Sequence, residues 1–340
     1  MGFVVVRVPP ALLPGIGFRL PEVACQTRPR INVDYPTIYE DNAAWVAEFL
    51  PFADAEAMQS LLECRYPMWD SLVYPRGLAE RVTHSSQMTS LAFEVDDIAV
   101  LQDALFGEVA EAQAADHPYG RAYADVFATF KRNMPEGVYR RYRQTWQDWF
   151  GAVLKENHYR RSLHTPDFDT YLNLRRISVG LQPYIVTIEY ILDMDLTDLL
   201  AADPDLAKAG DLAVEHAMFV NDLFSCRAEC FKGDHFNAVG VLLHRHVPNL
   251  QHAVDLICDR IHQADQARTA LGEQLRRRYP NPALRAYLDT LDDFCAGNLR
   301  WSLETTRYNG TGNTWNGLRT GRVTFRHDQT VIVREARPAS

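Results

Sequence analysis

"LAVEHAMFVNDLFSCRAECF", Leu212–Phe231, repeats apolar residues at i, i+3 and i+4 over five turns and reads as one long helix. Within it "VNDLFSCRAE" sets Asn221, Ser225 and Glu229 four residues apart. Steps of four advance a helix by about 40° each, so an amide oxygen, a hydroxyl and a carboxylate share one face. Three hard oxygen donors suit a magnesium ion, which leaves positions open for water and phosphate. The same residues equally suit a solvated face. The pattern alone arises by chance in roughly one chain in ten or twenty, so it does not decide between the two.

Outward from this segment the same spacing recurs in "AAWVAEFL", "AEAMQSLLE" and "YRRYRQTWQDWFGAVLKEN". "PDFDT", "ADPDLAKAGD" and "RYPNPA" punctuate the helices. No βαβ rhythm, Gly-rich phosphate loop or fixed-period repeat is present. The pattern predicts an all-α fold with a single domain over residues 41–308, preceded by an extended arm (1–40) and followed by a polar tail (309–340). Two β-prone runs in the tail predict either a hairpin or disorder.

With 340 residues and 47% hydrophobic content, the chain can bury a substantial core. A net charge of −9 argues against a nucleic-acid partner, which calls for a basic face. An acidic protein still binds a polyphosphate where metal ions neutralise the site. The six cysteines (25, 64, 226, 230, 258 and 295) lack C-x-x-C spacing and read as reduced thiols. "MGFVVVRVPPALLPGIGFRLP" carries an arginine and three prolines in its first 14 residues, unlike a signal peptide. No uncharged apolar run reaches about 18 residues. A soluble cytoplasmic protein without membrane insertion is expected, as monomer or homodimer.

Three more features carry chemistry. "FEVDDIAVLQD" places Asp96 and Asp97 after an apolar approach, "YLNLRRISVGLQP" places Arg175 and Arg176 ahead of Gly180 and Pro183, and "NLRWSLETTRYNG" ends on Arg307 and Tyr308. Each has a plainer reading: a surface acid pair, surface charge, and a cation completing a helix C-terminus. Asp292-Asp293 is assigned to a solvated face, and "DMDLTD" (193–198) to a helix end or exposed loop. The tryptophans and phenylalanines read first as core.

Taken in order, the aspartates, the arginine, the triad and the Arg-Tyr pair resemble the bacterial and fungal class I terpene synthases over roughly residues 18–308. "RINVDY", "YPRGLAERV" and "KGD" are smaller echoes. The resemblance implies a helical bundle around a central cavity and three Mg²⁺ ions holding an isoprenyl diphosphate. Its metal ligands would be Asp96, Asp97, Asn221, Ser225 and Glu229, with Asp97 also pairing with Arg307. Arg175, Lys232, Arg307 and Tyr308 would bind diphosphate, with Arg227 assisting. Two positions depart from the family pattern: Val100 stands where a third acid is expected, with Asp103 nearly a turn beyond, and Ala228 replaces a lysine.

Phe93, Met218, Phe224 and Trp301 lie beside these motifs as candidate cavity-lining residues, and Phe219, about 160° from Asn221, does not. The implied reaction is ionisation of farnesyl diphosphate and cyclisation of the allyl cation. The alternatives are a diterpene synthase acting on geranylgeranyl diphosphate or a pre-cyclised diterpenoid diphosphate, and a degenerate family member. An asparagine-serine-glutamate triad in place of a second aspartate-rich motif disfavours a chain-elongating prenyl transferase.

Overall fold

The computed structural model describes residues 12–96, 118–162, 165–245 and 247–334. After strand β1 (Gly17–Leu20), helices α1 (Tyr35–Phe49), α2 (Ala55–Glu63), α3 (Tyr66–Val73) and α4 (Ala79–Asp96) follow in close succession. Next come α5 (Gly120–Asn133), α6 (Glu136–Ser162), α7 (Phe168–Ser178), α8 (Gln182–Ile191) and α9 (Thr197–Ala202). The chain closes with α10 (Pro204–Phe231), α11 (Ala238–Arg245), α12 (Leu250–Arg278), α13 (Pro282–Glu304), the single turn α14 (Thr306–Asn309), and strands β2 (Gly321–Phe325) and β3 (Thr330–Val333). Among the described residues, no helix is long and apolar enough to cross a membrane.

Local chemistry sets the helix ends. Asp203 accepts from the backbone N–H of Asp205 and Pro204 opens α10, while Gly233, at φ +86°, stops it. Asp167, Asn249 and Asn281 cap α7, α12 and α13 in the same way. Between α7 and α8 the chain turns through Gly180 at φ +73°. A side chain there would be strained and would crowd the Trp149 indole.

The reading of Leu212–Phe231 as one helix holds, and α10 sits at the centre of the bundle. Ala209, Ala213, Val214 and Ala217 join a core formed with α1, α3 to α6, α8 and α13. Met218, Phe219, Leu223 and Cys226 join a second core with α11, α12 and the strands. Every residue of α3 is buried.

Helix α1 starts at Tyr35, inside the stretch read as an arm, and of the two readings of the tail the structure shows the hairpin. β1 pairs antiparallel with β2, in register Gly17↔Thr324 to Leu20↔Gly321, and β2 pairs antiparallel with β3. A Cβ at Gly17 would overlap the Val323 carbonyl, so only glycine allows that approach. Arg227 ties the hairpin down. It is buried and donates to Thr330 Oγ1, the His327 carbonyl and the Tyr308 carbonyl, so it is a structural clamp and not the diphosphate ligand expected.

Asp292 and Asp293 are not on a solvated face. The Asp293 side chain is fully buried, with Arg30 at 2.8 Å and Arg76 at 3.0 Å, and Asp292 accepts from Arg268 and Arg276. The 193–198 stretch is the expected connection, an exposed Asp193 leading into α9.

Asp70 on α3 gives a stability prediction. Its Oδ1 accepts from Ser85 Oγ (2.6 Å) and Thr89 Oγ1 (3.2 Å), while the buried Oδ2 has no partner. Burial raises its pKa to about 8, against the lowering effect of these hydroxyls. The folded pKa then lies above the unfolded value of about 4, so in between the folded state holds a proton the unfolded chain lacks. Stability should fall as pH rises through that window, by about 1.4 kcal/mol per unit. Asp70→Asn should flatten this slope. Urea midpoints at pH 5 and 7.5 for both proteins check it: equal pH dependence would refute the buried neutral acid.

Candidate active site

Side chains from α3, α4, α6, α7, α8, α10, α13 and α14 converge on a cavity with about 870 Å³ of empty space, part of it open solvent. Its walls carry aromatic faces: Trp69, Phe93, Trp146, Trp149, Tyr184 and Trp301. Trp69 meets Tyr184 edge-on at 4.8 Å, and Phe93 stacks on Tyr66 at 4.4 Å. The indole N–H groups of Trp69 and Trp149 are engaged, donating to Asn298 Oδ1 and the Ser178 carbonyl. Aromatic ring faces attract a cation and offer it no nucleophile.

Charged and amide groups form the rest of the lining. Asn221, Glu229, Glu156, Arg160, Arg175 and Arg307 all reach it. Arg175 is buried and donates from Nε and Nη2 to Asp222 Oδ1 (3.0 and 2.9 Å) and from Nη2 to Asn221 Oδ1 (2.9 Å). Burial works against its charge, but Asp222, Tyr171, Glu156 and Glu229 outweigh that and hold its pKa above the usual value. Asp222 also accepts from the Tyr171 hydroxyl and from the Ala238 N–H at 3.1 Å. Asn221 Nδ2 donates to the Tyr308 hydroxyl at 2.6 Å, joining α10 to α14.

Asn237, at the threshold of α11, organises the triad. Its Nδ2 donates to Glu229 Oε2 (2.8 Å), Ser225 Oγ (3.3 Å) and the Asp222 carbonyl (2.8 Å). Glu229 is raised above the ordinary carboxylate range, by burial first and then by Asp234 and Asp222, against the pull of Arg175 and Asn237. A divalent cation would favour its ionised form. Three oxygen donors on one helix face, with neither sulfur nor imidazole among them, fit a hard cation.

Asn237→Ala should leave Ser225 and Glu229 without their shared donor and weaken divalent-metal binding about 10–100-fold, the usual effect of losing a group that orients a ligand. Mn²⁺ titration followed by electron paramagnetic resonance, with circular dichroism as the folding control, checks this. Unchanged affinity would reduce Asn237 to a packing residue.

The expected residues divide. Asn221, Ser225 and Glu229 do share a face, and Arg175, Arg307, Tyr308, Phe93 and Trp301 meet Asn221 and Glu229 at the cavity, while Ser225 is buried and outside its lining. The Arg307 guanidinium lies 4.6 Å over the Phe93 ring and donates to Tyr66 Oη at 3.3 Å. Met218 and Phe224 do not line the cavity: Met218 is fully buried in the second core, and Phe224 packs between the two. Lys232 is exposed at the C-terminus of α10, outside the lining. Asp96 ends α4, one turn beyond Phe93, but its side chain and Asp97, Val100 and Asp103 lie outside the described residues.

Sequence reasoning missed Asp222, Asn237, Tyr171, Glu156 and the aromatics Trp69, Trp146, Trp149 and Tyr184. The i, i+3 pair Trp146 and Trp149 beside a helix break at Gly180 was the available signal for a wall.

A family profile described as "Terpene synthase family 2, C-terminal metal binding" matches residues 88–266. (E)-2-epi-beta-caryophyllene synthase of Selaginella moellendorffii is 25% identical over 339 residues, covering 93% of this chain and 92% of that one. Sesquiterpene synthase Agr3 of Cyclocybe aegerita is 31% identical over 193 residues, 56% of this chain and 54% of its own. Linalool/nerolidol synthase from Streptomyces clavuligerus, solved in complex with 2-fluorogeranyl diphosphate, shares the fold. Its TM-score is 0.72 at 18% identity, over 84% of this chain and 100% of that one.

Proposed function

Because the chain belongs to the class I terpene synthases, as the match to terpene synthase family 2 over residues 88–266 shows, we propose that it ionises farnesyl diphosphate with Mg²⁺ and cyclises the resulting allyl cation to a sesquiterpene. The observation that carries this reading is one cavity joining aromatic walls to a face of oxygen donors and guanidinium groups. The sesquiterpene synthase among the relatives supports a C15 substrate, and the 2-fluorogeranyl diphosphate complex supports an isoprenyl diphosphate in this fold.

Asn221, Ser225 and Glu229 are the ligands proposed from α10, with Asp96 and Asp97 from the end of α4, and three Mg²⁺ ions in all. Bound there, Mg²⁺ supplies Lewis-acid neutralisation of the diphosphate charge. Arg175 now donates to Asn221 Oδ1, the oxygen that the triad would present to metal. Arg175 also holds Asp222 through Nε, so it can release Asn221 and offer Nη2 to a phosphate oxygen without becoming an unpaired buried charge. Arg307 and the Tyr308 hydroxyl bind diphosphate from the C-terminal side. These donors stabilise the charge that builds on the leaving oxygen as the C–O bond breaks. The aromatic walls exclude water and hold the cation by their ring faces.

The test is incubation with Mg²⁺ and C10, C15 or C20 isoprenyl diphosphate, with mass spectrometry of the extract. Cyclic C15 hydrocarbons or alcohols are expected, turnover stopping in chelator and returning with Mg²⁺. Full turnover in chelator, or product from C20 alone, would overturn the proposal.

A further inference from the structure

We propose that Cys25, His216 and Asp265 form a second metal site, for a borderline-soft divalent ion of the Zn²⁺ class, that pins the N-terminal segment to the bundle. Cys25 lies between β1 and α1, His216 on α10 and Asp265 on α12. Their donor atoms lie within 4.8 Å of one another. His216 sits five residues and about 140° round α10 from Asn221, so this site faces away from the catalytic cavity.

Two of the three groups are already held by outer contacts. His216 Nε2 lies 2.9 Å from the Ala24 carbonyl and can only donate to it, which leaves the lone pair on Nδ1. Nδ1 is buried and has no partner. A buried acceptor left unsatisfied is destabilising, and a metal removes that cost. Asp265 Oδ1 is fixed by Arg268 at 2.8 Å, and Oδ2 by the Gln26 N–H at 3.2 Å. Ala24 and Gln26, the residues flanking Cys25, therefore bond to the other two ligand residues. A backbone carbonyl on the imidazole and a donor on the carboxylate are the outer contacts that metal ligands usually have.

Charge also balances. Arg268 contacts both Asp265 and Asp292. A Cys25 thiolate and Asp265 would set two negative charges against the two of a divalent ion, while Arg268 also pairs with Asp292, which Arg276 shares. Binding of the cysteine as thiolate would release its proton to solvent. Bonds of about 2.0–2.3 Å require donor atoms roughly 3.5 Å apart, so closure needs about 1 Å of movement. Sulfur, imidazole and carboxylate together select Zn²⁺ or Co²⁺ over Mg²⁺.

The full chain, stripped with chelator and dialysed, is titrated with Co²⁺ in millimolar Mg²⁺. One equivalent should give visible d–d bands and a near-ultraviolet thiolate-to-metal absorption, both lost on adding one equivalent of Zn²⁺. Cys25→Ser should abolish the thiolate absorption and weaken binding at least about 100-fold with an unchanged circular dichroism spectrum. Glu229→Gln should retain both signals, since the catalytic face is separate. No thiolate absorption in the wild type, the same absorption in Cys25→Ser, or its loss in Glu229→Gln would each overturn the assignment.

Discussion

Glu229→Gln should lower turnover of farnesyl diphosphate by at least about 10³-fold while the protein stays folded. The substitution is isosteric, and Asn237 Nδ2, now 2.8 Å from Glu229 Oε2, can donate equally to an amide oxygen. What disappears is one negative charge and an anionic ligand on a face whose other donors, Asn221 and Ser225, are neutral. Leaving-group departure needs charge neutralised on several phosphate oxygens at once. Removing even one well-placed donor from such a site typically costs 10²–10³-fold, and weakened metal binding adds to that. The buried carboxyl is held above its ordinary pKa by burial, so the neutral variant should be no less stable than the wild type. Turnover measured as released diphosphate, alongside thermal denaturation, separates the two effects. A folded Glu229→Gln enzyme with more than a tenth of wild-type turnover would remove Glu229 from the ligand set.

The central helix and its polar face were legible because hydrophobic period and side-chain spacing are local properties of the chain. How far round α10 the cavity extends was not. This helix is buried against one core through Ala213 and Ala217 and against another through Met218 and Phe219, so apolar residues surround it almost completely. Met218, one turn before Asn221, falls on the second side, and nothing in the period marks that boundary. The misreading of Asp293 has a similar source. Its partners, Arg30 and Arg76, arrive from more than 200 residues away, and only the fold brings them to a buried carboxylate. Asn237 was hidden for a third reason. It acts through an amide reaching back from the next helix to Glu229 and Ser225, a contact that depends on the turn at Gly233. The tail's β-prone runs were visible, but their order depends on a partner strand at the other end of the chain.

Arg307→Ala should lower turnover by about 10²-fold and divert product from cyclic hydrocarbons to acyclic alcohols. The two neighbours in α14 are held very differently. Tyr308 is tied to α10 at both ends, its hydroxyl taking a hydrogen bond from Asn221 and its carbonyl one from Arg227. Arg307 reaches the other way, over the Phe93 ring of α4 and to the Tyr66 hydroxyl of α3. Together Arg307 and Tyr308 therefore link the helix that ends at Asp96 to the helix that carries the triad. Loss of one cationic donor to the diphosphate accounts for the fall in rate. The altered product follows from geometry: without the guanidinium over Phe93, water can reach the allyl cation before it folds onto a ring carbon. Arg307→Lys retains the charge but not the planar fork, so it should recover rate more than product fidelity. Hydrogen exchange should show new protection over residues 301–310 with Mg²⁺ and diphosphate in the wild type and little in Arg307→Ala. Equal protection in both, with an unchanged product ratio, would show that Arg307 binds diphosphate without closing the cavity.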